Sequence, residues 1–133
     1  MTQRYLPAED EKRKEYPLWD GLFAYFPGAL AEVARWSKVG GAKYNDNELR
    51  WVRELSTDHE NKILRHLLDA RQEDEDGFVE AVALAWRALA LCQTILEERG
   101  WPEGERGKRQ PEAGTIVELP PDVDIREWRG CIP

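Results

Sequence analysis

The chain has 133 residues, 41% hydrophobic and 34% charged, with a formal net charge of −7 and a pI near 4.9. That is the length of one domain, long enough to bury a core without staples. The acidic balance argues against nonspecific binding to a nucleic-acid polymer, which needs a basic face to displace phosphate counterions. No run approaches the roughly 20 apolar residues that span a bilayer.

The opening "MTQRYLPAEDEKRKEY" has no apolar h-region, so no secretory signal is expected. Residues 1–15 read as a loose, charged arm. The cysteines, Cys92 in an apolar run and Cys131 near the C-terminus, suggest a reduced, cytoplasmic protein and not a disulfide scaffold. From residue 16 the chain turns aromatic, with Tyr16, Trp19, Phe23, Tyr25 and Phe26 alongside two prolines, Pro17 and Pro27. Pro27 suits a first helical turn, and "PGALAEVARWSKV" predicts a helix over about 27–39. Gly40 and Gly41 are expected to stop it. "AKYNDNELRW" reads as a loop or short turn.

Ser56, Thr57 or Asp58 can cap the next helix, with Glu60 three residues after Thr57 as in a capping box. That helix is expected to run to about Gln72. "EDEDG" is a turn, and a long helix follows over about 77–99, ended by Gly100 and Pro102. The proline- and glycine-rich tail, 101–133, holds one short β-like run, "TIVEL". It is expected to pack on the helical domain, 16–100, or on a neighbouring subunit. The fold class is all-α, a small bundle of three main helices with irregular ends.

At 100° per residue, Ile63, Leu64, Leu67 and Leu68 share one apolar face of the middle helix. His59, Lys62, His66, Asp69 and Glu73 fall in a polar stripe beside it; the bland reading is a solvated face with i,i+3 and i,i+4 pairs. The long helix is apolar around nearly its whole circumference, so it must be central to the fold or to an oligomer. Its Glu80, Arg87 and Thr94 recur every seven residues. A glutamate in such surroundings needs a partner to stay ionised. That partner is either Arg87 or Arg65 as an ion pair, or a divalent cation shared with Asp69 and Glu73. Glu32, on the first helix, is in a similar position. Carboxylates on three packed helices can converge in a bundle core, and hard oxygen ligands of this kind select Mg²⁺ or Mn²⁺. The seven-residue spacing of His59 and His66 does not match a zinc helix. His66 reads as an orienting donor, a phosphate contact or a metal ligand.

Taken together, "YFPGALAEVARWSKVGGAKYN", "STDHENKILRHLLD", the acidic turn with Gly77 and "EAVALAWRALALCQ" resemble the phage-type dATP/dGTP diphosphohydrolase family. That family is similar in turn to the MazG-like all-α nucleoside triphosphate pyrophosphatases. The resemblance covers about residues 16–99. It implies a metal-dependent hydrolase that splits a purine (deoxy)nucleoside triphosphate into monophosphate and pyrophosphate, in nucleotide-pool editing. The wider superfamily's ExxE and ExxD pattern is not met, since Arg35 follows Glu32 and Ala83 follows Glu80 at the third position. Glu32 and Glu80 match its leading positions, with Asp69 as a third catalytic and metal-binding carboxylate and Glu73 as a further ligand for Mg²⁺ or Mn²⁺.

Under the same resemblance Lys43, Lys62, Arg65, His66 and Arg87 would contact the triphosphate. Trp36, Tyr44, Asn45 and Trp51 would wall the base. The apolar girth of the long helix points to a homodimer or a dimer of dimers, a homotetramer. The competing readings are a non-enzymatic helical oligomeric adaptor and an HD-type phosphohydrolase. For the latter the only adjacent pair, Asp58–His59, stands in reversed order.

Overall fold

A computed structural model of the chain describes residues 4–44, 47–55 and 57–104. Asn45, Ser56 and residues 105–133 lie outside the described residues, and so do the expectations that fall on them. The described residues are helical and contain no strand, only an isolated antiparallel bridge between Glu73 and Val79. The all-α reading holds. Four α-helices are present among them: α1 (Asp10–Arg13), α2 (Pro27–Tyr44), α3 (His59–Leu68) and α4 (Glu80–Glu98). α4 packs against both α2 and α3.

The arm is not wholly irregular. α1 is one exposed turn with Asp10 and Glu11 at its start and Lys12 and Arg13 at its end, a charge order that suits the helix dipole. A single π-type turn, Trp19–Phe23, follows, and Pro27 opens α2 as expected.

α2 does not stop at Gly40–Gly41 but runs on to Tyr44. The reason is visible at Gly41, which is buried beneath the returning chain. A Cβ built on Gly41 would lie 2.7 Å from the Glu48 carbonyl oxygen, and the Asn47 N–H donates to the Gly41 carbonyl at 3.0 Å. Here glycine permits close backbone approach instead of ending a helix.

α3 is shorter than its sequence suggests and ends at Leu68. Beyond it the backbone turns twice, with Ala70 N–H donating to Leu67 and Gln72 N–H to Asp69. Asp58 caps its start in the left-handed region (φ 59°) without a side-chain bond to the helix backbone, so the Thr57–Glu60 capping box does not form. Instead Asn61 donates to the Asp58 carboxylate at 2.7 Å.

α4 matches its expected span closely. Its first N–H groups are met by the preceding turn, Glu80 by Gln72 O at 2.8 Å and Ala81 by Ala70 O at 3.0 Å. At its far end Gly100 takes φ 101°, with Gly100 N–H donating to Glu97 O and Trp101 N–H to Leu96 O. This is the paired bonding of a Schellman stop.

The core is small. Trp36, Val52, Phe78, Val82 and Ala83 form it, with Val33, Val39 and Trp86 packed alongside. Phe78, at 1% exposure, is its anchor. A buried ion pair closes one flank: Arg53 donates from Nη1 and Nη2 to the two Glu97 oxygens, each at 2.6 Å. It ties the 47–55 segment to the end of α4.

Candidate functional site

The seam between α3 and α4 departs most from the helical-wheel reading. The polar stripe of α3 faces inward: His59 is buried, and Lys62 and His66 are partly buried, as is Ile63 from the apolar face. The leucine face turns outward, with Leu64, Leu67 and Leu68 exposed at 59%, 54% and 85%. The reason lies on α4, whose line of Glu80 and Arg87 needs polar partners.

Those partners are the two histidines. His66 Nδ1 lies 2.7 Å from Glu80 Oε2, and His59 Nδ1 lies 3.4 Å from Arg87 Nη1. Moving seven residues back along α3 corresponds to seven forward along α4, so the helices are antiparallel in register. The carboxylate of Glu80 is therefore held by His66, where the sequence offered Arg87, Arg65 or a shared divalent cation. The matching seven-residue spacings were the signal in the sequence that could have revealed this pairing.

At the His59 end the seam is cationic. Arg87 is 1% exposed, and its guanidinium lies 5.2 Å from the Trp86 ring centroid. Burial pushes the Lys62 ammonium down from 10.5 to about 8; Arg87 and Arg65 push the same way, against Asp58. Lys62 and Arg87 are thus near enough to feel each other in a chain whose net charge is negative. Burial lowers the proton affinity of His59 too, followed by the Arg87 charge. Arg65 is itself exposed on α3.

The remaining predicted residues have other settings. Glu32 is gripped by Arg35 on its own helix, at 2.7 Å from Nε and 2.9 Å from Nη2. That hydrogen bond holds its carboxyl below the usual range. Asp69 ends α3 in a non-helical conformation and is exposed. Glu73 is exposed in the turn that bridges to Val79. With α3 ending at Leu68, neither extends the helical stripe. Lys43 reaches the acidic turn, 2.5 Å from Asp76 and 3.7 Å from Glu75. Trp36 is 4% exposed and packs on Trp86 at 5.8 Å within the core. Trp51 meets the same Trp86 ring edge-on at 5.8 Å. Tyr44 is the last residue of α2.

Among the described residues, no three His, Cys, Asp or Glu side chains are grouped so as to hold a metal ion. Glu32 and Glu80 each face a different partner, Arg35 and His66. What the seam does bring together is a cationic end, Lys62 and Arg87 with His59, and an acid–imidazole end, Glu80 with His66. About 10 Å of helix separates the two, at 1.5 Å rise per residue.

This arrangement defines a small all-α fold with a half-buried polar seam between α3 and α4 that brings Lys62, Arg87 and His59 together at one end. Residues 7–103 match the family described as dATP/dGTP diphosphohydrolase, N-terminal. The match spans well over half of the chain, and the chain belongs to that family. No curated protein and no solved structure matches it. No helix among the described residues is long and apolar enough to cross a membrane.

Proposed function

We propose that the chain hydrolyses a purine deoxynucleoside triphosphate, dATP or dGTP, between the α and β phosphates to give the monophosphate and pyrophosphate. The observation that carries this reading is the cationic end of the α3–α4 seam. Lys62, pushed to about 8 by burial and then by Arg87, gains most from an anion, because a polyphosphate would relieve the repulsion between the two cations. The family name supplies the reaction class.

In this reading Lys62 and Arg87 bind the polyphosphate and Arg65 adds charge from the rim. These cations stabilise negative charge that grows on the phosphate oxygens as the bridging P–O bond breaks. Glu80, held in place by His66, is the carboxylate set to orient the attacking water. One water is consumed and its oxygen is retained on a product phosphate. Mg²⁺ or Mn²⁺ enters as the complex of the nucleotide substrate, since Mg²⁺ commonly keeps its waters and binds through phosphate with few protein carboxylates.

The exposed leucines of α3, with Leu89 and Ile95 of α4 at 51% and 41% exposure, support the proposal of a homodimer or homotetramer. A sharp monomer in sedimentation at micromolar concentration would overturn it.

The test is a screen of all standard ribo- and deoxyribonucleoside triphosphates with Mg²⁺ and with Mn²⁺, followed by product analysis. Pyrophosphate and monophosphate in equal amounts from dATP or dGTP support the reading. Orthophosphate as the sole inorganic product rejects it. An oligomer that turns over none of them favours a helical adaptor.

A further inference from the structure

His59 has no role in the reaction as described so far, yet it is buried against Arg87, the most deeply buried cation among the described residues. It lies in the first turn of α3 at 8% exposure, facing Arg87 at 1%. Its Nδ1 is 3.4 Å from Arg87 Nη1. A guanidinium has donors only, so a ring nitrogen that bonds to it must be the acceptor. Nδ1 is therefore bare and the ring proton is on Nε2.

We propose that His59 is a positioning residue: its bare Nδ1 accepts a hydrogen bond from Arg87 and holds the guanidinium at the cationic end of the seam, ready for a phosphate. The inference rests on the reading of that seam as a polyphosphate site. Position supports a neutral ring, since a helix N-terminus disfavours a cation. The charged groups around His59 are Arg87 on α4 and Asp58, Glu60 and Lys62 on its own helix. Burial and the two cations lower its proton affinity, against the two acids. On protonation the ring offers Arg87 only a donor and a like charge, so this hydrogen bond is lost.

Two substitutions separate positioning from mere packing. His59→Asn puts a carbonyl oxygen one bond beyond Cγ, where Nδ1 stands, and that oxygen does not titrate near neutrality. His59→Phe keeps the ring and removes the acceptor. The measurement is calorimetric titration of the full chain with inorganic pyrophosphate and with dATP, from pH 5.5 to 8. Folding of each variant is checked by circular dichroism.

At pH 7 His59→Phe should weaken pyrophosphate binding about tenfold, the scale of a lost hydrogen bond to a charged group, while His59→Asn stays within about threefold of the parent. On acidification below about pH 6.5, the unperturbed imidazole value, parent binding should fall relative to that of His59→Asn. Protonation of pyrophosphate is common to both and cancels in the ratio. Equal binding by parent and His59→Phe, or parallel acid limbs for parent and His59→Asn, overturns the inference and leaves the phosphate site standing. A parent that binds neither ligand overturns both. Should His59→Phe not fold, the ring nitrogen NMR signals of the parent decide: an unprotonated Nδ1 with a protonated Nε2 supports the inference, and the opposite tautomer overturns it.

Discussion

Replacing Glu97 by alanine should be among the most damaging single changes available outside the core, and the size of the loss can be worked from its surroundings. The Arg53 and Glu97 side chains are each 4% exposed, and their two N–H···O bonds are 2.6 Å long. Gln93 Nε2 adds a third bond to Glu97, at 2.7 Å. Removing one member of such a pair strands a buried charge, which costs about 3–5 kcal/mol. The Trp51 ring, 3.9 Å from the Arg53 guanidinium carbon, remains and offsets part of this by cation–π attraction, so about 3 kcal/mol is expected. At about 3–5 °C per kcal/mol for a domain of this size, Tm should drop by roughly 10–15 °C.

The companion variant carries Arg53→Met with Glu97→Leu. A buried pair replaced by apolar side chains of similar volume is often neutral or better, so this double variant should recover most of the loss. Urea unfolding at 25 °C followed by circular dichroism, with m held equal across variants, measures both. A Glu97→Ala cost under about 1 kcal/mol would refute the reasoning, because it would mean the guanidinium finds water when its partner is gone. So would a double variant as unstable as the sum of the singles.

Gly41→Ala should destabilise by about 1–3 kcal/mol, as an overpacked site does, because its Cβ would meet the backbone oxygen of Glu48 at 2.7 Å; an unchanged urea midpoint would show that the 47–49 segment simply moves aside. Phe78→Ala, at the buried centre of the core, should cost about 3–5 kcal/mol, and a loss below about 1.5 kcal/mol would deny Phe78 its anchoring part. Lys62, with its ammonium pushed to about 8, should lose its charge as pH rises through 8. Pyrophosphate binding by the parent should then fall between pH 7 and 9.5 relative to Lys62→Arg, and parallel curves would sink the assignment. The sign for stability is the reverse. Between about 8 and 10.5 the unfolded chain holds more protons at this lysine than the folded one, so its contribution to folding stability rises with pH across that window.

Much of the architecture was legible locally. The long helix could be read over about 77–99, against Glu80–Glu98 observed, because an apolar run and a glycine that takes positive φ at its stop leave few alternatives. Pro27 at the head of α2 is equally local. The same residue type misled at Gly40–Gly41, since glycine serves both to end helices and to admit a crossing chain, and only the path of residues 47–49 distinguishes the two. The candidate site was harder still. Lys62, Arg87, Glu80 and His66 were named from the chain, but their partners were not, because partners depend on which residues of α3 fall opposite which residues of α4.

The sequence by itself determined an acidic, all-α chain, the span of its central helix and the charged groups along it. Those follow from composition, propensity and terminal signals that act within a few residues. Only the tertiary structure decided that α3 turns its polar stripe inward and its leucines outward. Burying Glu80 and Arg87 without hydrogen-bonding partners would cost more than leaving three leucines exposed, and a helical wheel drawn for α3 alone contains no information about α4. The same register that satisfies those two groups sets His66 on Glu80 and His59 on Arg87, and gathers the cations at one end of the seam.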